Sequence, residues 1–215
     1  MKKLKAIIFD LDGTLANTLP LCISAFRKSI EPLAGREVSD AEIIATFGPS
    51  EEGTIMALAP NHYDKGVSDY LRIYEESHDM CPSPFDGIPE LLDKLQEKGI
   101  RTAMVTGKGR KSAEISLIRF GVAHHFELLE TGIPGGPSKP KGIKAILKQW
   151  SDLGNDEIIY VGDAPSDITA CRETGIAIVA AAWAETAEPE LLIPLQPDEL
   201  FYTIADFSDW LYRKI

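Results

Sequence analysis

The sequence predicts an α/β protein, a parallel sheet with helices on both faces, interrupted by one all-helical insertion. Three observations carry this. Short apolar runs alternate with helical patterns of about 10 to 15 residues, which calls for right-handed βαβ units. The first run is almost continuously apolar, as a strand buried on both faces must be. Between residues 16 and 81 the strand signal stops and helical periodicity takes over.

Residues 5–10 form the first strand, closed by a turn at Gly13. In the insertion, residues 19–33, 50–59 and 67–80 have helical spacing, and the chain returns through the proline-rich 81–85. An insertion of this length exceeds what a crossover needs, so a separate helical lobe on two linkers is expected. The rhythm then resumes, with helices at 86–98, 110–120, 140–153 and 165–174 and strands at 100–105, 126–129, 157–161 and 176–180. The expected division is a Rossmann-like core of residues 1–15 and 82–215, with residues 16–81 as an α-helical cap.

Composition narrows the function classes. The 215 residues are 44% hydrophobic and 26% charged, which fits a folded globular chain. A formal charge of −11 repels nucleic acid and anionic membrane surfaces, so neither is an expected partner. Of this, residues 16–81 carry −6, from 5 basic and 11 acidic side chains. Any anion must be drawn in by a local cluster. Cys22, Cys81 and Cys171 are odd in number and widely spaced, which suggests reduced thiols and a cytoplasmic protein. The apolar run after Lys5 is too short for a signal or a membrane span.

The chemistry-bearing residues fall at strand ends. Asp10 and Asp12 are expected to share one side at the end of the first strand. Alone, the pair fits a cation site and a solvated Asp-Gly turn equally well. Asp163 and Asp167 repeat the arrangement at the fourth strand, where Asp167 also suits a helix cap. Thr106, with the Gly107 amide, closes the second strand, and Lys139 ends the Gly/Pro-rich stretch 131–142. Taken singly, Thr106 reads as a strand or cap residue and Lys139 as a surface lysine. Together, four carboxylates make a hard-oxygen pocket suited to Mg²⁺, and the hydroxyl, amide and ammonium suit a phosphoryl group.

Four stretches, Phe9-Asp-Leu-Asp-Gly-Thr-Leu15, Val105-Thr106-Gly107, Lys139-Pro140 and Gly162-Asp163 through Asp167, resemble the haloacid dehalogenase-like hydrolases. With the helical insertion the likeness is to the phosphoglycolate phosphatase and β-phosphoglucomutase branch, and it spans nearly the whole chain. The resemblance implies a phosphatase of small phosphorylated metabolites, with Asp10 as nucleophile and Asp12 as acid and base. It implies Mg²⁺ held by Asp10, the Asp12 carbonyl and Asp163. Thr106, Gly107 and Lys139 would hold the phosphoryl group, Asp167 would orient Lys139 or metal waters, and Thr14 would join in substrate binding and help to place Asp12. A phosphomutase and an inorganic pyrophosphatase use the same residues, and a monomer or homodimer fits.

Other residues carry blander expectations. Residues 47–53 form a substrate-facing turn, in which Glu51 and Glu52 read equally well as solvated. Lys108, Arg110 and Lys111 could attract anionic substrate near Thr106 but read first as a solvated helix start, and His124-His125 reads as a loop end. His62 and His78 lack metal-like spacing, and Trp150, Trp183 and Trp210 read as core or interface. Asn17 stands where relatives of this kind often carry aspartate.

Overall fold

The computed structural model describes residues 3–215; Met1 and Lys2, the start of the expected core, lie outside them. Six strands, β1 (Ala6–Phe9), β2 (Arg101–Val105), β3 (Leu128–Glu130), β4 (Ile158–Gly162), β5 (Ala177–Ala181) and β6 (Glu199–Phe201), pair in the order β3-β2-β1-β4-β5-β6. Every pairing is parallel. The fold is therefore α/β and Rossmann-like, with the direction of winding reversing between β1 and β4. Phe9 is in register with Met104 on one side and Val161 on the other. The loops after β1, β2 and β4 consequently open at one edge, where such sheets bind ligands.

The alternation of side chains along each strand builds two cores. Ile7, Phe9, Met104 and Val161 face α5 (Ile88–Glu97), α6 (Arg110–Arg119) and α10 (Ile204–Tyr212). Ala6, Ile8, Val105 and Tyr160 face α7 (Lys139–Gln149) and α8 (Pro165–Thr174). Both faces of β1 are thus fully covered, which explains its unbroken apolar sequence.

The insertion folds as α1 (Leu19–Ala34), α2 (Asp40–Ile44), α3 (Glu51–Leu58) and α4 (Tyr63–Glu76). Their apolar faces meet in a third core around Leu21, Phe26, Ile30, Ile55, Tyr70 and Tyr74, where Phe26 stacks on Tyr70 at 4.3 Å. Burial of side chains this large contributes about 2 to 3 kcal/mol each. The chain leaves and returns beside itself, with the Phe85 amide bonded to the Leu15 carbonyl at 2.9 Å.

Several boundaries differ from the sequence reading. β1 ends at Phe9, before either aspartate, so strand alternation does not set the relation of Asp10 to Asp12. The expected helix 140–153 stops at Gln149, and 67–80 divides into α4 and a short 3₁₀ turn, His78–Met80. Strand β6, helices α2 and α10 and the four-residue α9 (Pro189–Leu192) had no sequence expectation. No helix among the described residues is long and apolar enough to cross a membrane.

Candidate active site

The first aspartate is fixed by its own turn. The Asp10 amide donates to the Val161 carbonyl at 2.9 Å, tying the end of β1 to β4. Its carboxylate accepts from the Leu11 amide at 2.7 Å and from Lys139 Nζ at 2.5 Å. Lys139 also donates to Asp167 Oδ1 at 2.5 Å, so one buried ammonium bridges two carboxylates from different elements. Asp167 serves twice, because its other oxygen accepts from the Ala164 amide at 2.9 Å and caps α8. Asp167 thus caps α8 and contacts Lys139 at once.

Asp163 completes the acidic group. One carboxylate oxygen accepts from the Thr14 hydroxyl at 3.1 Å. Thr14 therefore places Asp163; the expectation that it places Asp12 does not hold, because the turn after β1 aims its hydroxyl at the β4 loop. Gly13 makes room for this contact, since a Cβ there would stand 2.1 Å from Asp163 Oδ2, on a backbone with φ +73°.

The electrostatics follow from burial. Burial pushes the Asp10 carboxyl up to about 6, with Lys139 pulling it down and Asp167 and Asp12 pushing it further up. Asp163 is raised by burial and then by Asp10 and Asp167. Burial works against the Lys139 ammonium, but Asp10 and Asp167 outweigh it and hold the charge on. Carboxylate oxygens of Asp10, Asp163 and Asp167 lie within 4.8 Å of one another, a set that could hold a metal ion.

Asp12 has a cation of its own. Its carboxylate accepts from the Thr18 hydroxyl and lies 3.2 Å from Lys108 Nζ. The expectation of a solvated Lys108 is overturned: the side chain is 4% exposed, stands 3.0 Å from Cys22 Sγ of α1 and lies over the Tyr74 ring at 4.6 Å. Burial opposes its charge, but Asp12 together with Cys22, Tyr74 and Tyr70 outweighs it and holds the charge on. Thr106 is buried, its hydroxyl accepting from the Lys108 amide at 3.2 Å. Gly132 packs so closely on the Gly107 carbonyl that a Cβ there would sit 1.8 Å away, so the loops after β2 and β3 lie tight against each other. Asp10, Asp12, Thr106, Gly107, Lys139 and Asp163 all line one cavity of about 650 Å³.

The helical insertion roofs this cavity through Leu19, Phe26, Phe47 and Tyr70. Glu51 is buried, not solvated. Its carboxylate accepts from the Gly109 amide at 2.6 Å and the Ser112 hydroxyl at 2.7 Å, capping α6 from across the junction. Glu51→Ala is expected to cost on the order of 2 kcal/mol and to speed amide exchange along α3 while leaving the sheet protected. Exchange measured by mass spectrometry checks this, and unchanged protection in α3 contradicts it. The remaining blander readings mostly stand: Trp150 is core, and His78 bonds Ser116 at 3.0 Å.

A parallel sheet with carboxylates and a buried lysine at its carboxyl edge, under a helical roof, defines an α/β enzyme built to handle an anionic group. The chain belongs to the haloacid dehalogenase-like hydrolase family, whose sequence model matches residues 7–181. It is 31% identical over 99% of its length to 94% of a protein provisionally named pyrophosphatase PpaX from Caldanaerobacter subterraneus subsp. tengcongensis. Among solved structures, one described as a predicted phosphoglycolate phosphatase from Haemophilus somnus superposes with TM-score 0.79 at 23% identity. It covers 98% of this chain and 99% of that one. A provisionally named β-phosphoglucomutase from Thermotoga maritima gives TM-score 0.75 at 21% identity, over 99% and 100%. Membership of this family makes the chain a haloacid dehalogenase-like hydrolase.

Proposed function

We propose that the protein is a Mg²⁺-dependent phosphatase of small phosphorylated metabolites, acting through an aspartyl phosphate on Asp10. The observation that carries this is Asp10 itself: a buried carboxylate lining a cavity, held by Lys139 and flanked by Asp163. Asp10 attacks phosphorus while Thr106, the Gly107 amide and Lys139 hold the phosphoryl oxygens. Asp12 protonates the departing oxygen and then takes the proton of the attacking water. Residues 16–81 act as the cap that excludes bulk water.

The donor set fits Mg²⁺, because it offers hard oxygens only and because Asp10, Asp163 and Asp167 together place more negative charge than one lysine offsets. Asp10, the Asp12 carbonyl and Asp163 would hold the ion, with Asp167 behind Lys139. Bound there, it would supply positive charge against the carboxylate–phosphate repulsion.

The pyrophosphatase reading draws support from the 31% identical relative and uses the same residues. A phosphomutase must also hold a second phosphate, and the described residues of the insertion contribute no Lys or Arg to the cavity lining. The test is hydrolysis of p-nitrophenyl phosphate, phosphoglycolate, pyrophosphate and sugar phosphates with Mg²⁺ and with EDTA. Release of phosphate only with Mg²⁺ is expected, and Asp12→Asn retains at best a slow first step. No Mg²⁺-dependent turnover of any of them contradicts the proposal.

A further inference from the structure

Lys108 is the feature that the phosphoryl chemistry leaves unused. Among the described residues lining the cavity, the only cationic side chains are Lys139 and Lys108. Lys139 is committed to Asp10 and Asp167 on the phosphoryl side. Lys108 stands 3.2 Å from Asp12 and against the roof, 3.0 Å from Cys22 Sγ and over Tyr74. Leu19, Phe26, Phe47 and Tyr70 line the same cavity.

A buried ammonium is costly to keep unless anions face it. The carboxylates on the cavity wall do not occupy it fully: Glu51 is spent on the Gly109 amide and Ser112, and Asp12 also accepts from Thr18. The charge therefore lines the cavity beside Asp12, the residue that in the proposed mechanism protonates the departing group.

We infer that Lys108 is a specificity-determining residue that binds a negative charge on the leaving group, so that the preferred substrates carry a second anion beyond the transferred phosphoryl. This rests on the phosphatase reading with Asp12 at the leaving oxygen. The shared chemistry is an anion within reach of the ester oxygen, which either a carboxylate or a second phosphate supplies. The 650 Å³ cavity accommodates a small group of either kind.

The test compares phosphoglycolate with 2-hydroxyethyl phosphate, which differ in one carboxylate at nearly equal size, with pyrophosphate as the phosphate arm. Wild-type protein in Mg²⁺ is expected to favour at least one anionic leaving group in kcat/KM. Lys108→Met lowers that preference by about 30-fold or more, the loss of a charge-assisted contact in a dry site. Using the ratio removes any effect that Lys108 exerts through Asp12, because Asp12 serves both substrates alike. Lys108→Arg retains most of the preference, which also guards against a variant whose roof is merely misplaced. Which arm collapses in Lys108→Met identifies the anion. Equal losses for charged and neutral leaving groups, or a wild type without preference, overturn the assignment. If the wild type hydrolyses none of these esters nor p-nitrophenyl phosphate, the phosphatase reading itself fails, and this inference with it.

Discussion

Asp10→Asn is expected to lower turnover by at least about 10⁴-fold while the metal-free protein becomes more stable. The two effects have one cause. The amide cannot attack phosphorus or carry it as an acyl phosphate, so the first step is lost whatever the substrate. The same change removes a charge that burial disfavours. The folded Asp10 carboxyl titrates at about 6 against an ordinary 3.8, so the folded state binds the extra proton between those values. Its contribution to stability accordingly falls as pH rises from about 4 to 6, and above that the ionised group is a standing cost. In EDTA at pH 7.5 Asp10→Asn should melt at or above the wild-type temperature, and at pH 4.5 the gain should shrink. Retained turnover would contradict the nucleophile assignment. A variant clearly less stable than wild type in EDTA would contradict the electrostatic reading of the pocket.

The sheet was legible because strands buried on both faces leave unbroken apolar runs, as at 6–9 and 158–162. The edge was not. β6 is three half-buried residues, and α10 earns its place by sending Phe207 and Leu211 under the sheet, a long-range fact invisible to local periodicity. Among the candidate site residues, Asp10, Thr106 and Asp163 could be picked out because each directly follows a strand, and Lys139 and Asp167 because each lies in the first turn of a helix. Lys108 and Glu51 were misread for one shared reason. Their burial is created by the insertion closing over the loop after β2, and nothing within a few residues of either announces that contact. Thr14 shows the same limit on a smaller scale, since its partner lies 149 residues away.

Lys139→Met is expected to be the most destabilising single change at the site. Removing one partner of a buried ionic group typically costs about 3 to 5 kcal/mol, because the charges left behind have neither water nor counterion. Here Asp10 and Asp167 would both be stranded, beside Asp163. Urea denaturation at pH 7.5 in EDTA should show a loss in that range together with the loss of turnover. The wild-type contribution of Lys139 should be constant from pH 6 to 9, because its raised titration is lost only as pH climbs past the ordinary 10.5. In the variant the stranded carboxylates recover by taking up protons, so its deficit should narrow as pH falls from 7.5 to 5.5. Adding Asp167→Asn should also restore part of the loss, since it removes one of the two unpaired charges while the amide oxygen can still cap α8. A Lys139→Met protein as stable as wild type, or a deficit that neither acid nor Asp167→Asn relieves, would mean that packing around the lysine, and not its charge, holds the carboxyl edge of the sheet together.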